Sequence, residues 1–343
     1  MRSDLNVVIL AAGIGKRMKS SLPKVLHPLA GLPLIEHCLR AVAGVTDRLP
    51  VIVVGHGAEQ VRTTVADKAR FVLQEPQLGT AHALRMAETL LADQPGLVLV
   101  TYGDMPLLSS VTLQRLVNLQ RGNSGPFTML TVVMDDPHGF GRIVRSDNGS
   151  VLAIVEEAQA SADILKIQEL NAGVYCFDAA WLWQQLPLIR ISSKGEYYLT
   201  DVVAMAVSQG RKVQALTITD PQETLGINTR AHLAEAEAVL RQRINEAWML
   251  AGVSILDPQN TYIEIDVQIG AETRILPGCC LTGNTVVGKG CVIGPHTIIA
   301  SSWLGKGCVV SASWVENSVL PDGKRVGPFT HLKNDHPGHP VQL

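Results

Sequence analysis

Aromatic residues are scarce in this chain, at 4%, and no apolar run approaches the roughly 20 residues that a membrane-spanning helix needs. Its six cysteines, Cys38, Cys176, Cys279, Cys280, Cys291 and Cys308, form no C-x-x-C pair, which argues against a zinc or disulfide framework. With apolar neighbours they read as reduced, buried thiols, and a cytoplasmic protein is the expectation. A formal net charge of −2 gives no sign of a general nucleic-acid-binding surface. Arg2 followed by Val7 to Ala12 mimics a secretory leader faintly, but the run is short and charged residues follow at once. At 343 residues and 46% hydrophobic content, the chain can bury a full core and is long enough for two domains.

Against this even background, one segment concentrates charge. Asn6 to Ala11 is a continuous apolar run of strand length, Ala11 to Gly15 carries little side-chain bulk, and Lys16, Arg17, Lys19 and Lys24 follow. Exposed backbone N–H groups beside several cations suit a phosphate. The segment is neither of two familiar glycine loops. A dinucleotide fingerprint needs a small residue where Met18 stands, and a Walker loop needs Gly at Leu10 and Ser or Thr at Arg17. A plain glycine turn with a basic surface is the competing explanation.

From the start to about Asn228, aliphatic runs (Val51 to Gly55, Phe71 to Leu73, Leu97 to Thr101, Phe127 to Met134) alternate with helical spacing, as at Thr80 to Ala92. That alternation predicts an α/β fold: a Rossmann-like, mainly parallel sheet whose ligands bind beyond the strands' carboxyl ends. Residues 229–251 read as one connecting amphipathic helix carrying Leu233, Val239, Leu240, Ile244 and Ala247. Beyond it, Ile269, Ile275, Leu281, Val287, Ile293 and Ile299 recur at every sixth position, and Leu304 and Val310 resume after a one-residue slip. This is the hexapeptide pattern of a left-handed parallel β-helix, of roughly four coils. The expected organisation is therefore a sheet domain (1–228), a linker helix (229–251), a short solenoid (252–332) and a tail (333–343). The tail is polar and contains Pro and His; it is expected to cap the solenoid or fray, not to bind metal.

Two further places carry chemistry. Gln74 ends a strand just before Gly79-Thr80. Its amide can accept and donate at once, the complement of the N3–H and O4 edge of uracil, while Gly79 permits close backbone approach and Thr80 can cap or donate. A Gln before a capped helix is common, so this signal is weak alone. Tyr102-Gly103-Asp104 ends the run Leu97 to Thr101, setting Asp104 at the carboxyl edge of the sheet as a candidate magnesium ligand or a simple turn cap.

Taken together, the ordered motifs Leu-Ala-Ala-Gly-x-Gly-x-Arg-Met18, Lys24, Gln-x-x-Gln-Leu-Gly-Thr80, Tyr-Gly-Asp104, Gly-Phe-Gly-Arg142, Ile-Val-Glu156, Leu-Asn-Ala-Gly173, Gly-Glu-Tyr-Tyr-Leu-Thr-Asp201 and Gly-Ile-Asn228 resemble the bacterial N-acetylglucosamine-1-phosphate uridyltransferases, over nearly everything from Asn6 to Leu332. The resemblance implies transfer of a uridylyl group from UTP to N-acetylglucosamine 1-phosphate, with Mg2+ as cofactor. It implies that Leu10, Ala11, Ala12 and Gly13 lie along the nucleotide, that Lys24 contacts its phosphates, and that Gln74, Gly79 and Thr80 bind uracil; in the in-line displacement this implies, Arg17 with Lys24 is expected to offset the charge that builds on the leaving pyrophosphate. Tyr102 and Gly103 would line the junction of nucleotide and sugar. Asp104 and Asn228 would hold the metal, and Gly141, Glu156 and Asn171, with Thr200 as a weaker candidate, would read the amino sugar. Asn228 is also a candidate cap for the linker helix. Lys16 departs from the Thr common in that family. The family's acetyl-transfer site lies in later coils than this sequence reaches, so acetyl transfer is not expected. A homotrimer through the solenoid is a possible assembly, and neither nucleic acid nor membrane is an expected partner.

Two competing readings stay open at this level. One is a nucleotidyltransferase of different base or sugar, such as a thymidylyl or glucose 1-phosphate version. The other is a catalytically silent subunit that senses a sugar nucleotide, which would be expected to lose a phosphate cation or a metal ligand; Arg17, Lys24, Asp104 and Asn228 are all present.

Overall fold

A computed structural model describes residues 4–334. The described residues divide into two units, one of residues 4–27 and 33–233, the other of 28–32 and 234–334.

In the first unit, β1 (Leu5–Ala11) is buried at every position, Asn6 included, which is why its sequence runs aliphatic from Val7 to Ala11 with no alternation. Next along the chain come β2 (Pro28–Leu29), which belongs to the second unit, and β3 (Leu32–Pro33), which straddles its boundary; the first unit continues with β4 (Val51–Val54), β5 (Arg70–Leu73), β6 (Leu97–Tyr102), β7 (Phe127–Val133), β8 (Arg142–Arg145), β9 (Val151–Val155), β10 (Glu169–Asp178) and β11 (Gln214–Ile218). The sheet order is β11-β7-β10-β6-β1-β4-β5, with the β8–β9 hairpin set off beside β10. β1, β4, β5 and β6 run parallel, whereas β10 lies antiparallel to both β6 and β7. The sheet is thus mixed: a parallel half carries the β1 loop, and the long β10 brings Asn171 into the same sheet. Apolar side chains cover both faces, Val8, Leu84, Phe127 and Tyr175 on one and Ile9, Ile35, Leu116 and Cys176 on the other.

The helices between these strands are α1 (Leu34–Ala43), α2 (Ala58–Val65), α3 (Thr80–Met86), α4 (Glu88–Leu91), α5 (Ser110–Arg121), α6 (Ala162–Leu165), α7 (Ala179–Gln185) and α8 (Asp201–Ser208). The helix expected over Thr80 to Ala92 is broken at Ala87 into α3 and α4, although Ala81, Leu84, Ala87 and Leu91 are buried as its spacing predicts. Strand order reverses at β1, whose neighbours β4 and β6 connect to opposite sides, so the crevice of a doubly wound sheet opens over the loops that follow β1 and β6.

The long helix α9 (Arg230–Leu250) follows. Val239 and Leu240 are buried in it, and Ile244 pairs with Trp248 against the solenoid core, while Ala247 points outward. Asn245 donates to the carbonyls of Pro258 (2.8 Å) and Thr261 (3.0 Å), fixing the helix to the first coil. From Ser254–Ile255 to His331–Lys333, short strands stack in three parallel ladders, the walls of the β-helix. Ile269, Ile275, Leu281, Val287, Ile293, Ile299, Leu304 and Val310 are 7% exposed or less. Between them, small residues such as Thr273, Cys279, Thr285 and Cys291 fill the corners; Thr273 donates to Gly288 O at 2.9 Å, so its buried hydroxyl is satisfied. The slip after Ile299 coincides with a shortened corner at Ser301, whose φ of 46° turns the chain in one fewer residue. The cysteines are unpaired, and all but Cys280 are buried. The expectation for the tail beyond Asn334 lies outside the described residues.

Candidate functional site

The loop after β1 turns at Gly15, φ 67°, where an added Cβ would stand 2.8 Å from Lys24 Cβ; the glycine lets the Lys24 segment pass directly beneath the loop. Met18, 1% exposed, anchors the short turn Lys16–Met18, while Lys16 and Arg17 stay exposed upon it. Across the crevice, Gly103 N–H donates to Leu10 O at 3.0 Å, so β6 ends level with β1 and Asp104 emerges beside the loop. The Asp104 carbonyl accepts from Ile227 N–H at 2.9 Å, which draws Asn228 to the same place.

There three side chains meet. Lys24 Nζ is ion-paired with the Asp104 carboxylate and donates to Asn228 Oδ1 at 3.1 Å. Lys24 and Asp104 are only 13% and 17% exposed, so the pair is poorly screened. Asn228 does not cap α9: His232 N–H donates to Thr229 Oγ1 at 3.2 Å, and Thr229 takes that role. The Asn228 oxygen is left to face the cation.

A cavity of about 320 Å3 opens over this cluster, lined by Leu10, Ala11, Ala12, Gly13, Lys24, Gln74, Gly79, Thr80, Tyr102 and Asp104. At its far end Gln74 is 3% exposed, and its Nε2 donates to Gly79 O at 3.0 Å and lies 3.1 Å from His82 Nδ1. Both amide hydrogens are engaged within the protein, so Gln74 offers its oxygen, not the donor–acceptor pair that the sequence suggested. The Thr80 hydroxyl accepts from Leu199 N–H at 3.0 Å, which leaves its own hydrogen to donate. Gln77, Val25, Ala83, Glu196 and Tyr198 also line the cavity and escaped sequence reasoning. Glu196 and Tyr198 come from an irregular segment whose only sequence signal was the Gly-Glu-Tyr-Tyr motif, to which no role attached.

The remaining candidates gather around Tyr102. Glu156 Oε1 accepts from Thr200 Oγ1 at 3.1 Å, and Asn171 N–H donates to Gly141 O at 2.8 Å. The Asn171 side-chain oxygen accepts from Gly173 N–H (3.1 Å) and Tyr175 OH (3.0 Å) across the bulge in β10. Burial, and after it the charges of Asp104 and Glu156, raise the Tyr102 phenol well above its ordinary range, so it stays protonated. Cys38, buried and donating to Tyr102 O, is pushed up to about 12 and is no nucleophile. Gly141, Glu156, Asn171 and Thr200 lie outside the lining of the 320 Å3 cavity, as does Arg17.

The family model for the MobA-like NTP transferase domain matches residues 7–169, and the bacterial transferase hexapeptide model, six repeats, matches 266–301. Over 327 residues the chain is 45% identical to the bifunctional protein GlmU of Shouchella clausii, covering 95% of this chain and 72% of that protein. It is 46% identical to that of Heliobacterium modesticaldum, with 95% and 71% covered. The chain belongs to the GlmU family. A crystal structure of a candidate glucose-1-phosphate thymidylyltransferase from Bacillus anthracis, in complex with sucrose, superposes with a TM-score of 0.56 at 21% identity, over 68% of this chain and 94% of that one; it shares the fold.

The two metal-ligand candidates read from the sequence are Asp104 and Asn228. Among the described residues no group of three or more His, Cys, Asp or Glu gathers, so a site closed by protein ligands alone does not exist there. Two hard oxygen donors with a cation already between them do fit an ion that takes one or two protein ligands and fills its shell from phosphate and water. Among the described residues no helix is long and apolar enough to cross a membrane.

Proposed function

We propose that this chain transfers the uridylyl group of UTP to N-acetylglucosamine 1-phosphate and releases pyrophosphate, with magnesium held by Asp104 and Asn228. The convergence of Lys24, Asp104 and Asn228 at the strand-order reversal, at one end of a cavity whose other end is Gln74 and Gly79, carries this reading. Membership of the GlmU family supports the choice of base and sugar.

The reaction is an in-line displacement, in which an oxygen of the sugar phosphate attacks the α-phosphorus of UTP and the bond to pyrophosphate breaks. No protein nucleophile takes part; the residues align the reactants and offset charge. Bound magnesium supplies a divalent charge that lowers the repulsion between two anionic substrates. Backbone groups from Leu10 to Gly13 run along the nucleotide, and Gln74 and Gly79 receive the uracil, with Thr80 fixing the helix start beside it. Lys24 leaves Asp104 for the α-phosphate, and Arg17, free to move on its exposed turn, neutralises the leaving pyrophosphate. Tyr102 and Gly103 separate nucleotide from sugar. Gly141, Glu156 and Asn171, with Thr200 behind Glu156, bind the amino sugar. The solenoid's ladder bearing Tyr262, Ile298 and Trp314, each 39–47% exposed, supports a homotrimer.

The test is pyrophosphate release in the presence of magnesium, with UTP and N-acetylglucosamine 1-phosphate set against TTP and glucose 1-phosphate in all pairings. The first pair is expected to lead by at least tenfold. Faster turnover with TTP or with glucose 1-phosphate overturns the assignment of base or sugar, and no release with any pair overturns the activity. Light scattering that gives one or two copies overturns the trimer.

A further inference from the structure

His82 lies on α3 two residues past the start of the helix, and its ring decides what Gln74 can offer. Gln74 Nε2 lies 3.0 Å from Gly79 O and 3.1 Å from His82 Nδ1. A carbonyl only accepts, so the nitrogen end of the amide must face Gly79; an amide nitrogen only donates, so His82 Nδ1 must accept and the ring proton resides on Nε2. Gln74 Oε1 is then the atom presented to the cavity, where it can accept from a base carrying hydrogen at N3. Turning the amide round, as a base with a lone pair at N3 would require, sets Oε1 against both Gly79 O and the Nδ1 lone pair. Tyr197, its ring centroid 6.4 Å away, and a neighbouring cavity of about 210 Å3 lined by Leu78, Arg85, Leu186 and Ile189 flank the imidazole.

We infer that His82 is a specificity-determining positioning residue that locks the Gln74 amide in the sense that accepts from a uracil-type base and rejects a cytosine-type base. This rests on the uridylyl-transfer reading. Gly79 and His82 each oppose the reversed amide, so losing one of them relaxes discrimination and does not abolish it.

His82→Asp and His82→Asn separate this role from packing, because the two replacements have the same size and shape. The Asp side chain only accepts at the place of Nδ1; that of Asn can rotate to donate and follow a reversed Gln74. The readout is the ratio of kcat/KM for UTP over CTP, with equilibrium binding of both nucleotides by calorimetry. Any uniform effect of the added negative charge cancels in the ratio. His82→Asp is expected to keep the wild-type ratio and His82→Asn to lower it about tenfold. His82→Ser, too short to reach, is a second route to the same loss if the Asn variant does not fold. Equal ratios in the wild type, Asp and Asn proteins overturn the inference, as does an equal fall in both variants. A wild-type protein inert with UTP would instead strike the uridylyl reading, and calorimetry would still report whether His82 controls the binding preference.

Discussion

The ammonium of Lys24 stands between the Asp104 carboxylate and the Asn228 side-chain oxygen, 3.1 Å from the latter. One cation position cannot hold a lysine and a divalent ion together, because two like charges at ligand distance repel strongly in a poorly solvated pocket. With the metal held by Asp104 and Asn228 as proposed, Lys24 would compete with it until a phosphate drew the lysine away. Nucleotide and metal should bind with positive coupling as a result.

Lys24→Ala separates the two functions of this side chain. Without nucleotide, Mn2+ used as a spectroscopic stand-in should bind about tenfold more tightly, roughly 1.4 kcal/mol, because its rival is gone. Turnover should fall by about two to three orders of magnitude, the usual cost of deleting a group aimed at developing charge. Paramagnetic titration measures the first and pyrophosphate release the second. Unchanged Mn2+ affinity would remove Lys24 from the metal position, and near-normal turnover would remove it from catalysis.

Gly79 is the backbone joint of the end proposed to take the base. Its φ is 99°, and an added Cβ would lie 2.6 Å from Tyr197 O and 2.8 Å from Tyr197 N, backbone atoms that cannot rotate aside. Tyr197 N–H donates to Leu78 O at 2.8 Å and Ala81 N–H donates to Tyr197 O at 3.0 Å, so the clash would pry the segment carrying Glu196 and Tyr198 from the start of α3. Gly79→Ala should cost about 2 kcal/mol or more of stability in chemical denaturation and raise KM for UTP more than for the sugar phosphate. A variant as stable as the wild type would show that the segment adjusts freely.

Thr200 and Glu156 give the complementary test at the proposed sugar end. The Thr200 hydroxyl donates to Glu156 Oε1 at 3.1 Å, and Val replaces that hydroxyl with a methyl group of similar volume. Thr200→Val should raise KM for N-acetylglucosamine 1-phosphate about five- to tenfold, near 1 kcal/mol for one lost hydrogen bond to a charged acceptor, while KM for UTP stays within twofold. Initial rates with each substrate varied in turn measure both. Equal rises in the two constants would take Glu156 out of the sugar site.

What could be read before folding followed from local chemistry. The buried run of β1, the small residues after it and the six-residue spacing of Ile269 to Ile299 are patterns that neighbouring residues impose on one another, and the sheet and solenoid follow from them. The meeting of Lys24 with Asn228 spans 204 positions and rests on the bond from Ile227 N–H to Asp104 O, which no periodicity encodes. The committed hydrogens of Gln74 were equally hidden, since a free amide in a sequence has no orientation until Gly79 O and His82 give it one. Thr229, one position past Asn228, took the cap because its hydroxyl reaches His232 N–H, a choice that two adjacent cap formers leave open in sequence. Ala87 breaks its helix although the apolar spacing runs through it, and the pattern alone carries no sign of the break.

His27 supplies a pH prediction. It is 4% exposed with a buried Nε2 that has no hydrogen-bond partner among the described side chains. Burial first, and the charge of Arg230 second, hold its pKa below the ordinary 6.5, and the Leu22 carbonyl accepting from the ring offsets this only in part. The folded protein then binds a proton here less readily than the unfolded chain. Its contribution to stability is complete above about pH 6.5 and is lost as pH falls from there through the folded-state value. His27→Leu removes both the titration and the unpaired nitrogen. Thermal melts at pH 7.5 and pH 5.5 should show a smaller drop in Tm for the variant than for the wild type; parallel drops would mean that His27 is not among the groups that acid acts upon.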